Sequence, residues 1–213
     1  MKSMKKWQNY SKHLCTGDWH CHTRYTDGRN TVMEMCRQAE KNGLELIAFT
    51  EHVRRELTYD FGRLVKDVKS ARKNHPKLKI LVGCEAKVLD MQGSLDASEE
   101  TLGKCEIVLA TFHSFPHSGK EEFELALRNM LSNPAVDIWT HPITFFQKCP
   151  LCKKDVHEII EMCIKSNVLI EDNKKPVYRS PNFIDACRKM GAKTVAGSDA
   201  HGVEDLIILK AKP

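Results

Sequence analysis

Length, composition and charge narrow the class of protein before any motif is considered. The chain has 213 residues, 41% of them hydrophobic, which is enough for a full core and fits one domain better than two. We therefore expect a single domain over residues 1–213, with an N-terminal extension over 1–14. Since no uninterrupted apolar run is long enough to cross a bilayer, we expect no membrane partner and no export. The net charge of +5 suits an anionic ligand, but the basic residues are spread along the chain and do not indicate nucleic acid.

The predicted elements alternate between strands and helices. In chain order they are a strand around Asp18, a helix over 31–43, a strand over 44–50, a helix over 61–75, a strand over 78–84, a short helix within 90–104, a strand over 105–111, a helix over 121–133, a strand over 135–140, a helix over 155–167, a strand over 167–172, a helix over 180–191 and a strand over 192–198. The strands are short runs rich in Val, Ile and Leu, and two helices end at Gly43 and Gly191. This alternation predicts βαβ units and a parallel sheet, either open or closed into a barrel.

The cysteines indicate a reducing compartment. Nine is an odd number, and most of them, such as Cys36 and Cys163, lie inside apolar periodic segments. We therefore expect a cytoplasmic protein. Cys149 and Cys152 resemble half of a zinc knuckle, but no second pair stands at a matching distance, and we interpret them as incidental thiols.

Six of the seven predicted strands end in residues that can bind a metal ion. In chain order these residues are His20 and His22, Glu51 and His52, Glu85, His113, His141, and Asp199 and His201. In a parallel barrel the C-terminal ends of all strands open on one face, so residues far apart in sequence meet around one mouth. Imidazole and carboxylate groups together are typical ligands of Zn²⁺, Mn²⁺ or Fe²⁺. The motifs therefore favour a barrel with a transition-metal site.

Each of these residues has an ordinary alternative when taken alone. A single His113 or His141 is more often a hydrogen-bonded histidine, and a single Glu85 is more often a salt-bridged surface group. The joint pattern favours a metal site, because the remaining histidines fall in predicted helices or loops. Asp27, in the loop after the first strand, is either an additional ligand or a turn residue before Gly28.

Four arginines are candidates for binding a phosphate. Arg24 lies in the loop after the first strand, Arg54 and Arg55 follow the second, and Arg179 follows the sixth. A guanidinium group matches the oxygen atoms of a phosphate, although a solvated loop arginine is as good an interpretation for each.

The ordered motifs resemble those of the PHP family, the polymerase and histidinol phosphatase domains. The segments that carry the resemblance are DWHCHTRYTDG, FTEH, GCE, ATFHS, THP and GSDAH. Each is weak alone, but the ordered set, from Asp18 to His201, is highly specific. The chain is most similar to the stand-alone members of the family rather than to the domains fused to DNA polymerases.

The resemblance implies an α/β fold, a distorted seven-stranded (β/α) TIM-like barrel, and two or three divalent transition metal ions (Zn, Mn or Fe). Carried over position by position, it implies that His20, His22, Glu85 and Asp199 hold the first metal, that Glu85 bridges to a second held by His113 and His141, and that Asp27, His52 and His201 hold the third. The residues expected to be catalytic are His20, His22, Glu85, Asp199 and His201.

The implied activity is that of a metal-dependent phosphoesterase acting on a small phosphomonoester, of which histidinol phosphate is the family's named example. We expect a monomer or small homo-oligomer. A protonated histidine or a metal-bound water would protonate the leaving group. His117 is one candidate by its location, but we interpret it as a loop residue.

Two alternatives stay open. One is an exonuclease or phosphatase that processes nucleic-acid ends, against which the aromatic content of 7% offers no stacking platform. The other is a non-catalytic metal-binding module, which is less favoured because structural zinc sites usually close with four ligands.

Overall fold

Seven parallel strands form one sheet whose spatial order is the order of the sequence. The computed structural model describes residues 4–116, 119–149 and 153–209. The strands are β1 (Gly17–Cys21), β2 (Leu46–His52), β3 (Lys79–Lys87), β4 (Ile107–Thr111), β5 (Ile138–Trp139), β6 (Leu169–Asn173) and β7 (Thr194–Gly197). Each overlaps a run that the sequence predicted as a strand, although β2 and β3 end two and three residues later than predicted and β5 is shorter.

Helices connect the strands and cover the outside of the sheet. They are α1 (Val32–Lys41), α2 (Phe61–Asn74), α3 (Glu99–Lys104), α4 (Lys120–Ser132), α5 (Pro142–Lys148), α6 (Lys153–Ser166) and α7 (Pro181–Lys189), with 3-10 helices at Lys6–His13, Pro176–Tyr178 and Val203–Asp205. The sequence did not predict α5. A capping box stabilises the start of α1. The Thr31 hydroxyl accepts from the backbone N–H of Glu34, and the Glu34 carboxylate accepts from the backbone N–H of Thr31. None of the described helices combines the length and the apolar character needed to span a membrane.

The sheet curls into a nearly closed barrel, with its seam between β1 and β7. The backbone N–H of His22 donates to the carbonyl of Ala200 at 2.8 Å, and Cys21 forms an isolated parallel bridge with Ala200. Beside this seam the buried carboxylate of Asp18 accepts from the backbone of Ser198 at 2.9 Å. The predicted seven-stranded barrel is therefore confirmed.

The N-terminal end of the barrel is sealed by the segment predicted as an extension. Alternate strand residues form a separate apolar cluster: Trp19, Leu46, Ala48, Leu81, Ile107, Leu109, Ile138, Leu169 and Val195. Trp7 is buried against this cluster, and its indole N–H donates to the carbonyl of Asn167 at 2.8 Å. The Trp7 backbone N–H donates to Asp137, and the Lys5 ammonium donates to the carbonyl of Val136 at 2.7 Å. The opposite end of the barrel is left for the polar residues described next.

Candidate metal centre

The nine residues predicted as metal ligands lie together at the C-terminal mouth of the barrel. His20, His52 and Glu85 lie within β1, β2 and β3, and the others lie in the loops directly after strands. A cavity of about 360 Å³ opens there, and seven of the nine line it: Asp27, His52, Glu85, His113, His141, Asp199 and His201. His20 and His22 are fully buried against its floor, where they contact the lining acids.

Glu85 is the centre of the arrangement. Its Oε2 lies 2.8 Å from Nδ1 of His52, and its Oε1 lies 3.1 Å from Nε2 of His141 and 3.9 Å from Nε2 of His113. Burial alone would raise the pKa of this carboxyl, but His20, His141 and His52 outweigh it and hold the pKa of Glu85 well below its usual range. An ionised carboxylate with several imidazoles around both oxygens is well placed to bridge two cations.

A second group of donor atoms forms where β1 meets the loop after β7. Nε2 of His20 lies 3.0 Å from Nε2 of His22, and Oδ1 of Asp199 lies 3.3 Å from Nε2 of His22. Burial lowers the pKa of His22 to about 4, which keeps its ring neutral, the form that binds a metal ion. The pKa of Asp199 is below its usual value, because His20 and His22 outweigh the effect of burial.

Asp27 completes a third group on the outer side of the cavity. Its Oδ2 lies 3.2 Å from Nε2 of His52 and 3.3 Å from Nε2 of His201, and its Oδ1 lies 4.0 Å from Nδ1 of His22. Hydrogen bonds from His201 and His52 lower the pKa of Asp27. Asp27 therefore contacts three imidazoles and could hold a metal ion together with them.

The donor sets fit divalent transition metal ions. Three groups have donor atoms that all lie within 4.8 Å of one another: His22, His52 and His201; His20, Glu85 and His141; and His20, His22 and Asp199. Two buried atoms in these groups, Nδ1 of His22 and Oε1 of Glu85, make no hydrogen bond with any described residue. Buried polar atoms normally make hydrogen bonds, so two that lack them, each within a group of imidazole and carboxylate donors, fit a site that binds ions. Mixed imidazole and carboxylate ligands suit Zn²⁺, Mn²⁺ or Fe²⁺.

Two of the proposed ligands have left-handed backbone conformations. His141 has φ = 50° and Asp199 has φ = 52°. Such conformations cost a non-glycine residue of order 1–3 kcal/mol and concentrate at functional sites. Each lies two residues after its strand, and both line the cavity.

Glu171, in β6, was missed by the sequence analysis. Its Oε1 lies 2.6 Å from Nδ1 of His20, and its Oε2 accepts from the backbone N–H of His141 at 2.9 Å and from the Thr140 hydroxyl. Burial would raise the pKa of Glu171, but His20 and His141 lower it, so this buried carboxyl is ionised. A carboxylate on the far nitrogen of a ligating histidine fixes the ring's tautomer and orientation. The available signal was an acid within the buried run VLIED.

Glu51, which the sequence placed at the end of the second strand, supports the first loop instead. Its carboxylate accepts from the backbone N–H of Thr23 at 2.9 Å and from the hydroxyls of Thr23 and Thr26. Burial raises the pKa of Glu51 to about 7. These bonds hold the loop that carries Asp27.

The four candidate arginines are not equally placed. Arg54 lines the cavity, whereas Arg24, Arg55 and Arg179 are exposed and do not line it. The sequence did not single out Lys175, because a loop lysine has no diagnostic pattern. The Nζ of Lys175 lines the cavity, 3.0 Å from Oδ2 of Asp199. His117 and Cys152 lie outside the described residues.

Comparisons with known proteins agree with this arrangement. A family model for the PHP domain matches residues 18–210. A probable phosphatase from Acetivibrio thermocellus is 32% identical over 200 residues, covering 86% of this chain and 78% of that protein. The DNA polymerase/3'-5' exonuclease PolX of Bacillus subtilis is 28% identical over 204 residues, covering 91% of this chain but 35% of that protein. The crystal structure of a histidinol phosphate phosphatase from Lactococcus lactis, complexed with zinc, L-histidinol and phosphate, is similar in fold, with a TM-score of 0.60, 16% identity, and coverage of 88% of this chain and 87% of that one.

Proposed function

The chain belongs to the PHP family and is a hydrolase of phosphoric esters, and from that premise we propose that it removes the phosphoryl group from a small phosphomonoester. The observation that carries the proposal is the convergence of three donor groups on one small cavity. The lactococcal neighbour, whose structure contains L-histidinol and phosphate, supports a substrate of this size.

The proposed ligand sets are those implied by the family resemblance. They are His20, His22, Glu85 and Asp199 for the first ion, Glu85, His113 and His141 for the second, and Asp27, His52 and His201 for the third. When bound, such ions lower the pKa of coordinated water to about 7 and so supply a nucleophile at neutral pH. Glu171 orients His20, and the Lys175 ammonium, inside the cavity beside Asp199, is placed to donate to a phosphoryl oxygen.

Phosphate release from a panel of phosphomonoesters, with and without Mn²⁺ or Zn²⁺, tests this function. We expect metal-stimulated hydrolysis, and a loss of at least about 100-fold in kcat/KM for Glu85→Gln, because the bridging charge is removed. His157→Ala is the matched control, since His157 is exposed on α6 away from the cavity. Absence of metal-stimulated release from every ester tested would contradict the proposal.

The second candidate is the processing of nucleic-acid ends. Its specific support is the similarity to a polymerase/3'-5' exonuclease over most of this chain. Against it, Tyr178 is the only aromatic residue other than histidine among the described residues lining the cavity, and one ring is a poor platform for successive bases. Degradation of labelled single strands, with binding that weakens steeply as salt increases, would favour this candidate over a small-molecule phosphatase.

We propose the cytoplasm as the compartment. The support is the state of the thiols: the eight cysteines within the described residues are all free, and seven of them are buried. A reducing environment maintains such a set without a disulfide framework.

A further inference from the structure

The cavity wall carries more positive charge than a single phosphoryl group requires. Six described lining residues are not proposed metal ligands: Arg54, Lys87, Thr111, Ser114, Lys175 and Tyr178. Three of these are cations and none is an acid, because every lining carboxylate is itself a proposed ligand. A phosphomonoester carries a charge of about −1.5 to −2 at pH 7. Lys175, next to Asp199, is placed for that group, which leaves Arg54 and Lys87 to be explained.

Arg54 and Lys87 stand together, across the barrel from Lys175. They follow or end the neighbouring strands β2 and β3, whereas Lys175 follows β6, three strands further around the sheet. Lys87 is two residues after Glu85 in β3, and side chains two apart on a strand share a face, so Lys87 points to the same mouth.

The two cations differ in how they are held. Nε of Arg54 lies 3.6 Å from Oδ2 of Asp96, whose Oδ1 accepts from the backbone N–H of Arg55, and Nη1 of Arg54 donates to the carbonyl of Val53 at 2.6 Å. Lys87 has no ion-pair partner within the described parts of the chain, although it lines the cavity. A partly neutralised arginine beside an unpaired lysine leaves net positive charge directed at whatever occupies this side of the mouth.

We propose that Arg54 and Lys87 form a subsite for a second anionic group on the alcohol part of the substrate. The inference rests on the proposed function and narrows it to phosphomonoesters whose leaving group bears a carboxylate or another phosphate. Charge complementarity across a small cavity selects partners and penalises like charge, so the same wall disfavours a leaving group that carries an ammonium.

Binding of non-hydrolysable phosphonates to the metal-loaded protein tests the subsite directly. The probes are alkylphosphonates with two to five methylenes, ending in a methyl, carboxylate or ammonium group, and their affinities are measured by titration calorimetry. We expect the carboxylate series to bind about 10- to 100-fold more tightly than the methyl series at its best chain length, as charge-assisted hydrogen bonds allow, and the ammonium series to bind most weakly. Equal affinity of the three series at every length would overturn the proposal.

Substitutions test whether Arg54 and Lys87 cause the preference for carboxylate probes. The double substitution Arg54→Met with Lys87→Met is expected to bring the ratio of carboxylate to methyl affinity close to one. Lys174→Met is the matched control, because the Lys174 ammonium pairs with Asp172 at 2.8 Å and does not line the cavity. A preference that survives in the double variant would overturn the assignment.

Hydrolysis of the corresponding phosphate esters separates the two proposals. If the protein hydrolyses the uncharged and the carboxylated esters with equal kcat/KM, the result supports the phosphatase function and contradicts the subsite. Failure to hydrolyse any ester, with no binding of any phosphonate, removes both. A higher kcat/KM for the carboxylated esters supports both.

Discussion

Glu171 is the residue on which two proposed ligands depend. It contacts Nδ1 of His20 and the backbone N–H of His141 without itself belonging to any of the three donor groups. We expect Glu171→Gln to lower metal affinity or kcat/KM by about 10- to 100-fold with the fold retained, because the amide preserves shape but loses the charge that orients His20. Metal content after dialysis measures the effect on metal affinity, and kcat/KM at saturating metal measures the effect on catalysis.

Asp172→Asn is the control for that substitution. Asp172 is the next residue in β6, and its carboxylate faces outward to Lys174 and Arg188. The same loss of charge there is expected to leave metal retention unchanged. Equal metal retention and equal kcat/KM in the wild type and the Glu171 variant would show that the hydrogen bond to His20 is incidental.

Gly197 is required for the same contact. A Cβ at this position would clash with Oε1 of Glu171 and lie 2.9 Å from Cβ of His20. Gly197→Ala is therefore expected to displace one of these side chains, lowering kcat/KM by more than about 10-fold and stability by about 1–3 kcal/mol. Gly103→Ala, in α3 with open space around it, is expected to leave activity unchanged. Activity assays and urea unfolding of the pair measure this, and indistinguishable variants would contradict it.

At the residue scale, the sequence predicted the groups that carry a recognisable pattern. The histidines and acids at strand ends could be found because strand periodicity fixes where each side chain must emerge, as for His113 after β4. Glu171 and Lys175 could not, because their roles depend on which strands face one another across the barrel. The four arginines show the converse: residue type suggested phosphate binding, but only the fold distinguishes Arg54 from the exposed ones.

At the element scale, the segment Lys6–His13 closes the barrel opposite the candidate metal centre. Trp7 is 1% exposed and packs on the interior apolar cluster. We expect Trp7→Ala to lower the free energy of unfolding by about 3–5 kcal/mol, as for other buried aromatic truncations. Asn9→Ala, at an exposed position of the same 3-10 helix, is expected to have little effect. Chemical denaturation of both variants checks this, and a small effect at Trp7 would show that the segment is dispensable.

Asp137 makes the same end of the barrel sensitive to pH. Burial raises the pKa of Asp137 to about 6, although its oxygens accept from the backbone N–H groups of Trp7 and Val108. The folded state therefore holds this proton more tightly than the unfolded state, whose pKa is about 3.9. Protonated Asp137 therefore contributes to the free energy of unfolding below pH 4. This contribution, up to about 3 kcal/mol, is lost as the pH rises through about 6.

Asp137→Asn removes this titration. Any loss of hydrogen-bond energy caused by the amide is the same at every pH. The diagnostic quantity is therefore how the difference in unfolding free energy between the wild type and the variant changes with pH. Between pH 4 and pH 7 we expect the wild type to lose stability relative to the variant, measured as the difference in urea unfolding free energies. A constant difference over that range would mean that Asp137 titrates normally.

The elements themselves were predictable to different degrees. Runs such as β2 and β3 are long enough for their apolar character to identify them. Helix α5 follows a strand of two residues and starts directly after His141, whose left-handed conformation has no sequence signature. Phe145 of α5 packs against Trp139 of β5, so tertiary contact stabilises a helix that is too short for its periodicity to be recognised in the sequence.

For the whole molecule, closure of the barrel sets the geometry of the site. His20 and Asp199 are 179 positions apart, yet Nε2 of one lies 3.7 Å from Oδ1 of the other. The seam bonds between Asp18 and Ser198 and between His22 and Ala200 hold this separation. These seam bonds are made by backbone groups and by the buried Asp18, none of which is a proposed metal ligand atom. The fold therefore largely assembles the site before any ion binds.

Metal removal should therefore abolish activity without unfolding the protein. The apolar clusters and the strand hydrogen bonds do not involve the donor atoms, and Lys175 already neutralises part of the charge on Asp199. A metal ion that binds only the folded state stabilises the protein by about 4 kcal/mol at a free metal concentration 1,000 times Kd. For a chain of this length, this raises Tm by roughly 10 °C. We expect far-UV circular dichroism to be unchanged on chelation, and Tm to rise on adding Zn²⁺ or Mn²⁺ to the wild type but much less in Glu85→Gln. Unfolding of the chelated protein at 25 °C would instead identify the ions as structural, since a site that exists only when filled makes metal binding part of folding.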